Sequence, residues 1–292
     1  MTKFKRIAFI GLGQMGLPMA KHIVEAGLPV VGFDSSEKAR STAAKEGIIV
    51  AASMHEAVHE ADCIITMLPN GKIVQNAILG GDAFRAASAG AVLLEMSSSS
   101  PIYTRELAQR VAPYLRVVDA PVSGGVKRAV SGTLTVMAGG DSDALNQVRP
   151  VLDCLASGVF VCGQVGAGHA MKSINNFVSG AGVIAAVEAI ELGTAFGISA
   201  ETIIDVLNAS SGKNNATDVK MKQFVLSGTF ASGFALGLMA KDIAIAAELA
   251  ENLGLNLSGL QHTSTVWNEA TETLGKTVDH TRIYEFLTKS SD

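Results

Sequence analysis

Lys172, Asn175 and Asn176 follow a Gly166-Ala-Gly168 turn at spacings i, i+3 and i+4, which puts all three on one face of a helix. The turns after them are apolar, so this face runs toward a core. A helical lysine ordinarily carries its ammonium to solvent. Two amides beside it on a buried helix change that reading, because buried polar groups need partners. The hydroxyl and carboxylate of a small substrate would supply them. A lysine desolvated near another cation has a lowered pKa and can move a proton near neutral pH.

Two further clusters offer anion binding. In Asp119-Ala-Pro121-Val-Ser123-Gly124-Gly125, the Ser123 hydroxyl and the N–H groups of Gly124 and Gly125 can form a nest for a carboxylate. Taken alone, a glycine turn between two strands is the simpler reading. Phe234 and Lys241, the latter followed by Asp242, lie about two turns apart on a predicted helix or its approach and so share a face. Taken alone, a solvated Lys–Asp pair accounts for them. His55-Glu56-Ala-Val-His59 matches the helical zinc motif His-Glu-x-x-His. It has no third ligand at a recognised spacing and falls inside an alternating strand–helix pattern. It reads as an ordinary surface helix, and no metal is expected. Cys63, Cys154 and Cys162 are odd in number, without metal-like spacing, and read as free thiols in a reducing, cytoplasmic compartment.

The element that must present these groups is the stretch Arg6 to Ala20. Ile7 to Ile10 suits a buried parallel strand, and Gly11, Gly13 and Gly16 then fall at the Gly-x-Gly-x-x-Gly spacing. Gly11 permits the tight turn, Gly13 admits a pyrophosphate to the backbone, and Gly16 lets the next helix pack close to the sheet. That helix, over 15–26, aims its N-terminal N–H groups at the phosphates. A second strand over 29–33 ends in Asp34, whose carboxylate can accept hydrogen bonds from ribose hydroxyls. The spacing therefore predicts NAD as cofactor. NADP is disfavoured, since Asp34 would repel a 2′-phosphate, although Lys38 and Arg40 lie close enough to soften the preference.

Strands over 48–50, 63–68, 92–96 and 117–118 alternate with helices over 35–40, 53–61 and 103–115, which predicts a parallel α/β sheet. Shorter strands over 134–138 and 160–162 flank a helix over 142–155. After Gly163 the pattern turns wholly helical, with segments over 169–195, 200–209, 219–226, 234–253, 260–273 and 280–287. Two domains are expected, 1–163 and 164–292, joined through the long helix. The 292 residues are 48% hydrophobic and 17% charged with a net charge of −4, which fits a globular chain and disfavours nucleic-acid binding. Lys3, Lys5 and Arg6 ahead of an apolar run resemble a signal peptide, but that run already carries the dinucleotide turn, so export is excluded. The charge-free stretch over 177–187 is too short to span a bilayer, so no membrane partner is expected.

Together these residues resemble the β-hydroxyacid dehydrogenases, the group of 3-hydroxyisobutyrate dehydrogenase, tartronate semialdehyde reductase and 2-(hydroxymethyl)glutarate dehydrogenase. The landmarks span nearly the whole chain: Phe9-Ile-Gly-Leu-Gly-Gln-Met-Gly16, Met67-Leu-Pro69, Asp119-Ala-Pro-Val-Ser-Gly-Gly125, Gly166-Ala-Gly-His-Ala-Met-Lys172-Ser-Ile-Asn-Asn176 and Lys241-Asp242. The resemblance implies a Rossmann-like doubly wound parallel-sheet domain, then an all-helical domain for substrate and oligomerisation, in homodimers or homotetramers. It implies Lys172 as general acid/base. Gly11, Leu12, Gly13, Gln14, Met15, Gly16 and Asp34 would bind the dinucleotide. Leu68, Pro69, Ser97 and Lys241 would surround the nicotinamide and its ribose, with Ser97 where many members have threonine. Ser123, Gly124, Gly125 and Asn176 would hold a small hydroxy acid between the domains, with Asn175 and Phe234 nearby. The expected reaction is hydride transfer between nicotinamide and a small 3-hydroxy acid or its semialdehyde. A tartronate semialdehyde or 2-(hydroxymethyl)glutarate type of reductase is the alternative within the family. A non-catalytic NAD-binding sensor is the alternative outside it.

Overall fold

The computed structural model describes residues 4–289, and the chain divides into two compact units, residues 1–172 and 173–292. Lys3, of the basic cluster noted above, lies outside the described residues. The strand pattern ends at Gly163, but the units divide later, at Lys172/Ser173, inside a long helix.

The first unit runs β1 (Ile7–Ile10), α1 (Gly16–Glu25), β2 (Val30–Phe33), α2 (Glu37–Lys45), β3 (Ile49–Val50), α3 (Met54–Val58), β4 (Cys63–Thr66), α4 (Gly71–Leu79), β5 (Val92–Glu95), α5 (Pro101–Val111), β6 (Arg116–Asp119), β7 (Val122–Ser123), α6 (Gly125–Val130), β8 (Leu134–Gly139), α7 (Ser142–Leu155), β9 (Ala156–Gly163) and the start of α8 (Ala167–Phe196). Strand order is β3-β2-β1-β4-β5-β6-β8-β7, with β9 on β8. Strands β1 to β6 are parallel. Successive residues point to opposite faces, so a strand covered on both sides needs an unbroken apolar run. Phe9, Ile65 and Leu94 pack against Met19 and Ile23 of α1 and Val148 and Leu152 of α7. Their neighbours Ala8, Ile64 and Leu93 pack on the other face against Val58, Ile78 and Leu107. The order reverses between β1 and β4, and ligands of such sheets sit outside the strands' carboxyl ends at that reversal.

Beyond β6 the sheet is mixed, where the alternation predicted a parallel one. Strand β8 runs antiparallel to β6 and β7. Only α6 and a short turn join β7 to β8, less chain than the dozen or so residues a parallel crossover needs.

The second unit contains the rest of α8, then α9 (Ala200–Ala209), a π-wound segment Ala216–Leu226, α10 (Leu236–Asn252), α11 (Ser258–Leu274), a 3₁₀ turn His280–Arg282 and α12 (Ile283–Lys289). Val183, Val187 and Ile190 of α8 form its core with Ile204, Ile243 and Trp267. The argument from a short charge-free stretch does not carry to the helix as a whole. Helix α8 has 30 residues, and its most apolar window has a mean hydropathy of 1.4, enough by length and composition to cross a bilayer. Val183, Ile184, Ala186, Val187 and Ile190 of this helix are instead buried in the core of this unit. The residue before α10 is also placed differently from expectation. Ala235 pairs with Asp279 in an antiparallel bridge, and the His280 N–H donates to Phe234 O at 2.8 Å. Phe234 therefore sits ahead of the helix that the periodicity placed over 234–253.

Candidate active site

The glycine turn separates into two structural positions and one open one. Gly11 has φ +102°, and a Cβ there would lie 2.3 Å from Met67 O. A Cβ on Gly16 would lie 1.8 Å from Gly11 O, so only glycine lets α1 start this close to the turn. At Gly13 a Cβ would meet nothing within 4 Å. The protein's own packing leaves Gly13 unexplained, and a ligand approaching the backbone explains it. Gln14 is exposed and Leu12 buried, while Met15 precedes α1 without a side-chain cap, leaving the helix start open toward an anion. Asp34 ends β2 half-buried. Its Oδ2 accepts the Leu12 N–H and its Oδ1 the Ser36 N–H, both at 2.8 Å. Arg40 donates to the carbonyls of Asp34 (2.6 Å) and Ser35 (3.1 Å), so its guanidinium braces the β2 turn. These residues fit an adenine dinucleotide.

Beneath the ends of β4, β5 and β6 lies a charge cluster that the sequence reading did not single out. His169, in the first turn of α8, is 1% exposed, Glu95 1% and Asp119 0%. His169 Nε2 is 2.7 Å from Glu95 Oε2 and 3.0 Å from Ser97 O. Its Nδ1 is 2.9 Å from Thr104 Oγ1, whose own proton goes to Ser100 O. Both ring nitrogens therefore face acceptors, the requirement of an imidazolium. Asp119 accepts the backbone N–H groups of Gly166 (2.6 Å) and His169 (2.8 Å), tying the start of α8 to β6. Burial alone would depress the His169 pKa, but Glu95 and Asp119 outweigh it and raise it. Burial alone would raise Glu95, but His169 and the bonds from Ser97 hold it below the ordinary carboxyl value. At Asp119 burial wins, and the carboxyl lies above its ordinary value.

This cluster fixes two of the expected site residues. Glu95 Oε1 accepts the Ser97 N–H at 2.9 Å, and Ser97 Oγ accepts the Leu68 N–H at 2.9 Å, which aligns the turns after β4 and β5. Pro69 follows in that turn and is exposed. Lys172 stands one turn beyond His169 on α8 and is half-buried. The available signal was a charge inside an apolar run: Glu95 ends Val92-Leu-Leu-Glu95, and a buried strand needs a partner for it.

Ser123 ends β7, and Gly124 (φ +129°) and Gly125 (φ +65°) turn the chain into α6. The glycine turn leads from a strand into a short helix rather than directly into another strand. A Cβ on Gly124 would meet Arg128 Cδ at 2.4 Å and displace that side chain, and φ +129° is strained for any residue but glycine.

In the second unit the structure links residues far apart in sequence. Asn175 Nδ2 donates to Asn176 Oδ1 (3.0 Å), and Asn176 Nδ2 donates to Asp242 Oδ2 (2.6 Å). Asp242 is 2% exposed, and its Oδ1 is 3.4 Å from Lys241 Nζ. The Lys–Asp pair is therefore not merely solvated: its acid is buried and holds the asparagine. The Phe234 ring lies edge-on to His280, with centroids 5.7 Å apart.

His55 and His59 do not share a helix. Helix α3 is little more than one turn, and His59 lies past its end with ψ 121°. Both rings are exposed, and Glu56 accepts the Ala52 N–H at 2.8 Å. Among the described residues no group of three or more His, Cys, Asp or Glu side chains is placed to hold a metal.

Strand order, a glycine turn open at Gly13 and a carboxylate at the end of β2 define an NAD-binding oxidoreductase fold. Residues 6–163 match the family model described as the NAD binding domain of 6-phosphogluconate dehydrogenase. Residues 166–287 match that described as NAD-binding of NADP-dependent 3-hydroxyisobutyrate dehydrogenase. The chain is 38% identical over 250 residues to 2-(hydroxymethyl)glutarate dehydrogenase of Eubacterium barkeri, covering 85% of this chain and 83% of that protein. It is 37% identical over 268 residues to the probable 3-hydroxyisobutyrate dehydrogenase of Mycobacterium tuberculosis, covering 89% and 90%. A solved structure of the Mycobacterium tuberculosis 3-hydroxyisobutyrate dehydrogenase with L-serine superposes with a TM-score of 0.91 at 35% identity, covering 97% and 98%. The chain belongs to the β-hydroxyacid dehydrogenase family, NAD-dependent enzymes that act on the hydroxyl of small hydroxy acids.

Proposed function

We propose that the chain oxidises a small 3-hydroxy acid of the 3-hydroxyisobutyrate kind, or reduces its semialdehyde, with Lys172 as the proton carrier. One observation carries the reading. Helix α8 bears Lys172 and then Asn176 on one face, and Asn176 is locked to a buried carboxylate, Asp242. NAD, when bound, supplies the hydride acceptor at its nicotinamide.

The chain's own residues do the rest. Gly11 to Gly16, with Asp34, hold the dinucleotide, and Leu68, Pro69, Ser97 and Lys241 surround its reactive end. Ser123, Gly124 and Gly125 hold the substrate carboxylate. Lys172, as the free amine, takes the hydroxyl proton while the hydride leaves the same carbon, and returns it in the reverse direction. Asn175, Asn176 and Phe234 orient the substrate. Positioning of this kind supplies much of the rate. A panel of 3-hydroxy acids and their semialdehydes, read by absorbance of the reduced cofactor, tests the proposal; binding of NAD without turnover of any of them refutes it.

Residues 164–292 would serve substrate binding and oligomerisation, in a homodimer or homotetramer. An apolar groove of about 540 Å³, lined by Leu192, Phe196, Ile203 and Val206 among others, supports assembly. Phe196 is 84% and Leu192 76% exposed, which is unusual for a solvated face. Mass measured by light scattering tests this. Three unpaired thiols, one of them wholly buried, fit a cytoplasmic compartment.

A further inference from the structure

Lys220 belongs to none of the groups above, yet it is 8% exposed. It lies on the π-wound segment, a winding enriched at functional sites. Its Nζ donates to Ser179 Oγ at 3.0 Å, and among the described residues no carboxylate stands within the 4.0 Å of an ion pair. Burial pushes its ammonium down to about 8, with Asp279 only partly offsetting the cost. An ammonium has three protons to donate, and a buried cation held by a single hydroxyl lacks the partner that ordinarily justifies its burial. Asp279 is committed elsewhere: it accepts from Ser232, Gly233 and Thr281. His280, the other titratable neighbour, is held neutral, its pKa lowered to about 4 by burial and by the Lys220 charge.

The partner residue locates this cation. Ser179 is seven positions beyond Lys172 on α8, within about 20° of it around the helix and about 10 Å along it. Lys172, Asn176 and Ser179 thus form one stripe, with Lys220 attached to its far end.

We propose that Lys220, with Ser179, binds a second anionic group of the substrate, so that the preferred substrate is a dianionic hydroxy acid rather than a monoanionic one. The proposal rests on the hydroxy-acid reading above and names its substrate class. Charge-assisted hydrogen bonds of this kind discriminate by about 10- to 100-fold.

The test compares kcat/KM for 2-(hydroxymethyl)glutarate, a dianion, with that for 3-hydroxyisobutyrate, a monoanion, in the wild type, Lys220→Met and Ser179→Ala. The wild type favours the dianion; in Lys220→Met the ratio falls about 10- to 100-fold, and Ser179→Ala lowers it in the same direction by less. Met replaces a buried charge with an apolar chain of similar length, and an unchanged melting temperature with NAD verifies folding. Binding is read separately by the thermal shift that glutarate gives over butyrate. If neither acid is turned over, a glutarate-specific shift that vanishes in Lys220→Met still upholds the subsite while refuting the proposed reaction. A wild type indifferent to the second charge, or a ratio unchanged in Lys220→Met, overturns the subsite.

Discussion

His169→Gln removes the only cation from a cluster of two buried carboxyl groups. In the wild type, Glu95 has a lowered pKa, so it stabilises the fold above the ordinary carboxyl range and loses that contribution as pH falls through its folded value. His169 has a raised pKa, so its contribution is complete below the unfolded value of about 6.5 and is lost as pH rises through the folded value. Asp119, raised by burial, works the other way and costs stability once ionised. In the variant, Glu95 at 1% and Asp119 at 0% exposure face each other without a counter-charge. Removing one partner of a buried pair costs about 3–5 kcal/mol. Both carboxyl groups then shift toward protonation, which shrinks the deficit toward about pH 5, while the wild type loses the His169 contribution as pH rises through its folded value, so the deficit is largest at about pH 6.5. Urea unfolding followed by far-UV circular dichroism measures it. The double variant Glu95→Gln/His169→Gln, with that pair neutralised, recovers much of the loss. A single variant within about 0.5 kcal/mol of wild type near pH 6.5, or a deficit that grows from about pH 6.5 to about pH 5, refutes the imidazolium assignment.

Lys172→Ala retains NAD binding and lowers kcat by about 10²–10⁴-fold, while Lys172→Arg does not rescue because arginine stays protonated. The acidic limb of kcat/KM for alcohol oxidation disappears with the lysine; an intact limb at near-normal turnover assigns the proton to another group. Gly13→Ala leaves the melting temperature unchanged and raises the KM for NAD, whereas Gly16→Ala destabilises the fold, since its Cβ would lie 1.8 Å from Gly11 O. Equal thermal losses in the two variants contradict the distinction. Steady-state kinetics favour NAD over NADP, and Asp34→Asn narrows the gap; a higher kcat/KM with NADP in the wild type refutes the role given to Asp34.

Local signals carried most of the fold. Helices α7 and α9 span the residues where the periodicity placed them, and they begin there because Asp141 and Ser199 cap their first N–H groups. Polar groups joined across long sequence separations were not legible. Asn176 and Asp242 stand 66 positions apart and form one hydrogen bond. His169 looked like one more helix residue until Glu95 and Asp119 were brought to it by two different strands. The mixed edge was hidden because β7 is only two residues long. The π winding of 216–226 left no mark, since it alters hydrogen-bond register without requiring a particular residue type.

Under the proposed Lys220 subsite, that winding makes chain length a genetic handle on substrate choice. Each carbonyl in such a segment is bonded one residue further along than in an ordinary helix. Deleting a single residue ahead of Lys220, without a compensating change of winding, would turn the lysine by about 100° around the axis. The ammonium would leave Ser179 while α8, with its own lysine and asparagines, kept its place. A lineage could thus lose or regain a charge requirement by one codon, with no substitution in the residues that do the chemistry.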